Sequence, residues 1–367
     1  MKGSMSRRRI AVICEVMHAP YDEGIRLYAA GLARALAREC DLTLASEKDS
    51  QLDGILVSGV LTDRYFLRRR LADLLHGARP EGIIYVPWTS LTARTILRVR
   101  SLRRYARQAR IAVAALQPRR NDLGMRIMSR LRGPDLVVAT GPGTLAQATR
   151  LRLPVVRLWP GVDTRRFRPS QPGERRAARL AAGMDPNAYV VLHVGHLKEA
   201  RNIDALAQAA LLPGVTAMLV ASTSTTAEEG PARGLAEAGV KVITGVQERI
   251  ETIYRLADAY LFPVRSELEA IETPLSVLEA AASGLSIIST PFGGLPEVLA
   301  GGAARGDVIW VSSTDEIVAA VRRLAGRPRG PAVQSGARDL VEELTWARVA
   351  ERLLSELFHD RSVGRTA

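Results

Sequence analysis

The sequence predicts an α/β protein made of two doubly wound, Rossmann-like domains, each a parallel sheet with helices on both faces. Three observations predict it. Short apolar, β-branched runs alternate with helix-length segments along the chain. The alternation stops at a turn-rich stretch, PGVDTRRFRPSQPGE at 160–174, and then starts afresh. The length of 367 residues also exceeds what one hydrophobic core ordinarily serves. The expected limits are 1–165 and 175–344, with 345–367 forming a helix that crosses back to the first domain.

The elements follow in order. IAVICEV at 10–16 has the continuous apolar character of a buried strand, and YAAGLARALA at 28–37 has that of a helix. LTLAS at 42–46 and GILVSGV at 54–60 are strands, and a basic helix is expected near 64–76. Then come a strand at 82–88, an arginine-rich helix, and strands at 111–116 and 136–140. Segment 141–158 adds a helix and the strand PVVRLW. Past the turn-rich stretch, strands are predicted at 190–197, 216–222, 241–245, 259–264, 285–290 and 307–311, with helices between. TWARVAERLLSELF at 345–358 is the last helix. Open α/β sheets bind ligands outside the carboxyl ends of their strands, so two such domains are expected to face each other across a ligand cleft.

Segment 274–299 concentrates the local chemistry. Pro274 suits a first helical turn, Leu275, Leu278 and Ala282 recur at helical spacing, and Gly284 supplies the stop. Ser286 to Thr290 is a buried strand, followed by a turn through Gly293 and Gly294 into another helix. Helix N-termini and glycines suit a phosphorylated ligand, although a Gly-Gly turn between strand and helix is more often plain turn chemistry than a binding site. Glu279 is the lone carboxylate of the first helix of this unit.

Composition removes several classes. Cys14 and Cys40 are too few for a disulfide framework and lack metal spacing, which favours a reducing compartment. The five histidines are scattered, His193 and His196 forming the one close pair, for which a solvated or structural role is expected. No two aspartates are separated by a single residue, so metal-independent chemistry is the default. Glu15 breaks the early apolar run before a signal-peptide core is complete, and no stretch is long enough to span a bilayer, so a cytoplasmic location is expected.

Charge is uneven. Residues 1–170 hold 31 Lys/Arg against 14 Asp/Glu, and residues 171–367 hold 20 against 24, giving +17 and −4, the sum of which is +13. Arg94, Arg98, Arg103, Arg104 and Arg107 fall on or beside one helix, which reads either as a surface for an anionic membrane or polyanion or as an arginine-rich solvated face. Nucleic acid is not expected, because 5% aromatic content leaves few stacking platforms and no binding signature appears.

Five segments in order resemble glycosyltransferase family 4, retaining nucleotide-sugar enzymes of the GT-B fold. PGVDTRRFRP is similar to the interdomain signature, HVGHLKEARNI at 193–203 to the phosphate-binding strand and loop, and VITGVQERIETIYRLADAYLFP at 242–263 to the base-binding turn, helix and strand. VLEAAASG with its Gly-Gly turn resembles the family's most recognisable motif, and Trp346 the aromatic that opens the crossing helix.

The resemblance implies residue roles. Glu279 matches the second motif glutamate, which accepts hydrogen bonds from the nucleotide ribose. Gly245 and Val246 match the turn that meets the base, Gly195 and His196 the start of the phosphate loop, and Gly24 the glycine loop after the first strand, with Glu23 where a second glycine is usual. The family's Arg and Lys at the diphosphate are replaced by His196 and Arg201, so Arg201 is the expected catalytic cation. Ile271 stands where the first motif glutamate belongs, leaving Glu269 or Glu272 to meet the donor sugar, with Glu269 favoured. Gln117 stands in place of the usual domain-one histidine; it can hydrogen-bond a sugar hydroxyl but cannot relay a proton.

The function this implies is transfer of a sugar from a nucleotide diphosphate sugar, UDP first and GDP next, to an acceptor hydroxyl, with no further cofactor or metal. The acceptor is a lipid-linked or phosphorylated molecule, the former with peripheral contact at the inner membrane surface, or a soluble metabolite such as an antibiotic precursor. A nucleotide-sugar epimerase of the same fold and a catalytically silent sugar-nucleotide binding protein are the competing readings.

Overall fold

The structure is a computed structural model and describes residues 7–119, 133–222, 229–327 and 336–359. The chain divides into two compact units. One comprises Met1–Tyr21, Ile25–Gly161 and Trp346–Ala367; the other comprises Asp22–Gly24 and Val162–Thr345. The change of unit thus falls at Gly161 and Val162, within the turn-rich stretch, and Asp22, Glu23 and the first residue of the first helix, Gly24–Leu36, group with the second unit.

The first unit is an eight-stranded sheet of β1 (Arg8–Ile13), β2 (Cys40–Ser46), β3 (Ser50–Leu52), β4 (Ile55–Gly59), β5 (Gly82–Tyr85), β6 (Arg110–Ala115), β7 (Leu136–Ala139) and β8 (Val155–Arg157), in the order β3-β4-β2-β1-β5-β6-β7-β8. Every pairing is parallel except β3 with β4. That hairpin differs from the single strand expected at 54–60. Asp53 and Gly54 both take positive φ, 50° and 84°, as a two-residue turn matched to strand twist requires, and Arg34 clamps Asp53 through two hydrogen bonds of 2.7 and 3.1 Å. The apolar strand runs bury on both faces, with Ile13, Ile83, Val99, Ile111 and Val137 in one core.

The last helix, Trp346–Phe358, packs against β6 and β7, and Arg110 reaches its Leu357 carbonyl at 3.2 Å. Trp346 opens it by wedging its indole onto the first helix, edge-on to Tyr28 at 5.4 Å. A Cβ on Gly31 would lie 2.4 Å from that ring and one on Gly161 would lie 2.6 Å from the Trp346 backbone, so both positions need glycine for close approach.

The arginine helix, Ala93–Tyr105, corrects the expected basic surface. Arg98 is buried, at 6% exposure. Its guanidinium pairs with buried Glu15, donates to the Tyr85 hydroxyl at 2.8 Å and to the Arg64 carbonyl at 3.0 Å, and lies 4.6 Å over the Phe66 ring. Glu15 also accepts from the Tyr85 hydroxyl and the Trp88 amide. The reason is helical phase: 95, 98, 99 and 102 follow the i, i+3, i+4, i+7 spacing of the buried face. Arg103 likewise turns inward to the Gly133 carbonyl and Asp135. Arg94 is half-buried, Arg104 is exposed, and Arg107 is exposed beyond the end of the helix.

The second unit is an all-parallel sheet of β9 (Tyr189–Gly195), β10 (Val215–Ala221), β11 (Lys241–Ile243), β12 (Ala259–Phe262), β13 (Ser286–Ser289) and β14 (Val308–Trp310), ordered β11-β10-β9-β12-β13-β14. The winding reverses between β9 and β12, which makes their carboxyl ends the switch point where open sheets take ligands. At the amino ends, Asp258 gathers three strands. Its carboxylate accepts from Arg179 at 2.7 Å, Arg175 at 2.9 Å and the Val190 amide at 2.8 Å, while its backbone bonds to Val190 and Ser286. Arg179 is itself buried and satisfies the Leu256 and Ala188 carbonyls. Among the described residues no helix is long and apolar enough to cross a membrane.

Arg98→Met is expected to destabilise the protein by about 3–5 kcal/mol, because Glu15 then stays buried without its counter-charge. Arg104→Ala, on the exposed side of the same helix, is expected to cost no more than about 0.5 kcal/mol. Urea denaturation of the two variants measures both.

Candidate functional site

The candidate site lies on the carboxyl edge of the second unit's sheet. β9 ends at Gly195, and the chain then runs through His196 and Lys198 into a 3-10 turn, Glu199–Arg201, where Asn202 at φ 56° turns it into the helix Asp204–Ala210. Arg201 is 6% exposed and donates from Nη2 to the Glu269 carbonyl; its Nε has no partner among the described residues. Desolvation lowers its pKa below the usual value. Gly195 makes room for it: a Cβ there would come within 2.6 Å of Arg201 Nη1 and 3.1 Å of His193 Nε2.

His193 is fully buried rather than solvated, and its Nδ1 must carry the proton, because it meets the Leu261 carbonyl at 2.8 Å. Burial pushes it down to about 4, and burial together with Arg201 and Lys198 pushes His196 down to about 4 as well. Both are neutral near pH 7 in the free protein. The positive charge of the loop rests on Arg201 and half-buried Lys198.

The loop after β12 holds the displaced glutamates. Glu269 is half-buried and contributes its backbone to Arg201. Ile271, in the position expected of a glutamate, is buried and packs on Gly24, where a Cβ would lie 3.3 Å from its side chain. Glu272 is 3% exposed and its carbonyl accepts the Gly294 amide at 2.9 Å. Gly293, at φ 50°, sits so close that a Cβ would fall 2.1 Å from the Glu272 carbonyl oxygen. The Gly-Gly turn therefore seats this loop, and the Gly294 amide is already committed. That is the plain turn chemistry the sequence favoured for this segment.

Glu279 projects from the helix Leu275–Ala282, which Gly284 ends at φ 73°. Pro274 caps that helix in an extended conformation instead of entering its first turn. Glu279 is half-buried as a residue, and its carboxylate, turned inward, accepts the Tyr254 hydroxyl at 2.9 Å. Desolvation raises its pKa to about 7, against the opposing pull of Tyr254 and Arg166. Tyr254 stacks on Tyr260 at 6.0 Å, and Tyr260 on His193 at 6.2 Å, so an aromatic file runs from Glu279 back to the Arg201 loop. After β11, Gly245 takes φ 88° and Val246 is 56% exposed, with the Gln247 amide folded onto the Gly245 carbonyl at 3.1 Å.

The structure thus brings Gly195, His196, Arg201, Glu269, Glu272 and Gly24 together around the ends of β9 and β12, with Glu279 reached through the aromatic file and Gly245 and Val246 after β11. Gln117 lies in the first unit, at the end of β6, where its backbone is held by Ser90 and its side chain accepts from Arg119 at 2.9 Å. The sequence reading passed over Tyr254 and His193 as site components; the one available signal was their place in the two segments that resemble nucleotide-binding motifs. Among the described residues no group of three His, Cys, Asp or Glu could hold a metal ion.

Residues 188–327 match the family model described as Glycosyl transferases group 1. A D-inositol 3-phosphate glycosyltransferase of Saccharomonospora viridis is 34% identical over 215 residues, covering 53% of this chain and 48% of the relative. One from Mycolicibacterium gilvum is 29% identical over 211 residues, covering 53% and 44%. The chain spans about half the length of the curated relatives it matches. The structure of Anabaena HepE in complex with UDP and glucose is similar at a TM-score of 0.72 and 15% identity, over 96% of this chain and 99% of that one. WaaG, a glycosyltransferase involved in lipopolysaccharide biosynthesis, is similar at 0.64 and 16%, over 95% and 100%. The fold class is that of the GT-B glycosyltransferases, two parallel-sheet α/β domains, and the resemblance to the group 1 family is carried by the second unit.

The titration of Glu279 has a sign that can be measured. Its folded pKa is about 7 against a usual 4.5, so the folded state binds more protons across that window and loses stability as pH rises from 4.5 to 7. Glu279→Gln is expected to flatten this slope and to gain on the wild type above pH 7 by about 1–3 kcal/mol. Denaturation curves at pH 5 and pH 7.5 give the difference.

Proposed function

We propose that the chain is a retaining, family 4-like glycosyltransferase that moves a sugar from a nucleotide diphosphate sugar, UDP first and GDP next, to an acceptor hydroxyl. The observation that carries this is the placing of a desolvated arginine, Arg201, and a partly exposed glutamate, Glu279, along one sheet edge inside the segment that matches the family model. In this reading Glu279 accepts from the ribose and Gly245 and Val246 meet the base. Gly195, His196 and Gly24 border the diphosphate, and Arg201 meets its charge.

The bond from the sugar anomeric carbon to the diphosphate oxygen breaks, and the acceptor oxygen forms its bond on the same face. The acceptor's proton passes to the departing diphosphate oxygen, so no protein base is needed. Such a step is consistent with glutamine at position 117, which would hydrogen-bond a sugar hydroxyl. Glu269, or Glu272 from its buried position, would meet the donor sugar. Support for UDP comes from the HepE complex, and support for a phosphorylated polyol acceptor comes from the activity named for the curated relatives. Peripheral contact with an anionic membrane would rest on Arg94, Arg104 and Arg107, since Arg98 and Arg103 are engaged internally.

The test is a thermal-shift screen with UDP, GDP and their sugars. At least one is expected to raise the melting temperature, and no rise with any of them overturns the donor-site reading. Arg201→Ala is expected to lower turnover by roughly a hundredfold or more, the scale for removing a group that meets developing negative charge. Retained turnover would exclude Arg201 from that role.

A further inference from the structure

Tyr254 is a fully buried phenol at the centre of a rigid clamp. Its ring meets Phe167 edge-on at 5.3 Å and 87°, and stacks on Tyr260 at 6.0 Å and 18°. Phe167 is fixed in turn. Its amide donates to the Asp163 carbonyl at 2.8 Å, and its carbonyl accepts from Arg338, which also bonds to the Thr164 and Ala282 carbonyls. The phenol therefore cannot swing away from what its hydroxyl faces. Two acceptors lie there, Glu279 Oε2 at 2.9 Å and the Ser276 carbonyl at 3.3 Å, and one proton serves them, better placed for the carboxylate.

We infer that Tyr254 is a positioning residue whose hydroxyl holds the Glu279 carboxylate in the orientation that reads two vicinal hydroxyls of a nucleotide ribose. This rests on the donor-site reading above and adds a residue to it. An ionised carboxylate offers about four lone pairs. With one taken by Tyr254, the remaining ones, on an oxygen pair that can no longer rotate freely, suit a diol. Desolvation drives Glu279 towards its protonated form, in which one oxygen becomes a donor and the match to two hydroxyl donors is lost. The phenol opposes that change by donating to the ionised form. Its own proton is secure, because burial raises Tyr254 well above the ordinary phenol value.

Among the described residues few other groups face Glu279. Arg166 lowers its pKa from the segment after Val162, while that guanidinium is occupied by Glu251 at 3.0 Å and the Glu248 carbonyl at 3.0 Å. Tyr260, also raised by burial, is neutral and is engaged with the Val194 carbonyl at 3.1 Å. The helix that bears Glu279 brings Ser276, whose carbonyl accepts from Tyr254 and whose side chain is bonded to Tyr260.

The experiment is calorimetric titration of the full chain with UDP and 2′-deoxy-UDP, and with GDP and 2′-deoxy-GDP, from pH 5.5 to 8.5. The wild type is expected to prefer the ribose form by about tenfold, the scale of one charge-assisted hydrogen bond. Its ribonucleotide affinity should fall as pH drops through the Glu279 titration. Tyr254→Phe should erase most of that preference by weakening the ribose form alone, and should move the midpoint to higher pH. Site-specific replacement of Tyr254 by 3-fluorotyrosine, a stronger donor of nearly the same shape, should move the midpoint to lower pH and keeps the test available if the phenylalanine variant does not fold.

A Tyr254 that only packs would leave both the preference and the midpoint at wild-type values in these variants, and that result overturns the inference. Wild-type binding of a nucleotide with no preference for ribose overturns the assignment of Glu279 to the diol and the inference with it. Absence of binding by all four nucleotides overturns the donor-site reading itself.

Discussion

The Asp258 carboxylate is the constraint on which the second unit depends. It enters β12 from a helix and at once accepts from Arg179, Arg175 and the first amide of β9 it meets, while its own backbone bridges to β9 and β13. A buried carboxylate is costly unless fully paired, and here the pairing is possible only when the three strands lie side by side in one register. The β9/β12 neighbourhood is thereby set from the amino ends. Everything attributed to the site at the carboxyl ends, the seat of Arg201 on Gly195 and the bond from Arg201 to the Glu269 backbone, depends on that adjacency.

The site uses burial in two opposite ways. Arg201 is desolvated yet keeps its charge, since a guanidinium gives up its proton only far above neutrality. His196, in the same loop, is desolvated and gives its charge up. The loop after β9 therefore carries its charge in the free protein on Arg201, with Lys198 on the flank. Glu279 stands between these cases, half-committed to its proton, and its neighbours decide which way it goes. Electrostatic preorganisation in this unit comes from what surrounds each ionisable group, more than from how many such groups there are.

Much of this was legible from sequence because buried parallel strands read as continuous apolar runs, and the unit's change at Gly161 follows directly from a turn-rich segment. What escaped reading is equally specific. The β3 hairpin was signalled by Asp53-Gly54, whose paired positive φ values mark a two-residue turn, but only three residues of strand precede it. Arg98 reads as surface in a list of arginines; its inward face becomes visible only once Glu15, on a different element, is known to need a partner. The glutamate register could be counted as displaced but not explained. Ile271 occupies the buried seat against Gly24, and Gly293 pins the following carbonyl, so the loop's path is set by packing that no local pattern reveals.

The last helix has a consequence for how the chain is made. The first unit is discontinuous: its sheet is finished by Gly161, but the helix that covers β6 and β7 begins only at Trp346, after the whole second unit. At synthesis rates of 5–20 residues per second, roughly 10–40 s pass before that helix emerges. During that interval the face of β6 and β7, and the glycine notch at Gly31 that receives the indole, stand open. The second unit, nearly continuous in sequence, lies between the two pieces of the first, so the face of β6 and β7 is covered only after translation has passed through that whole unit.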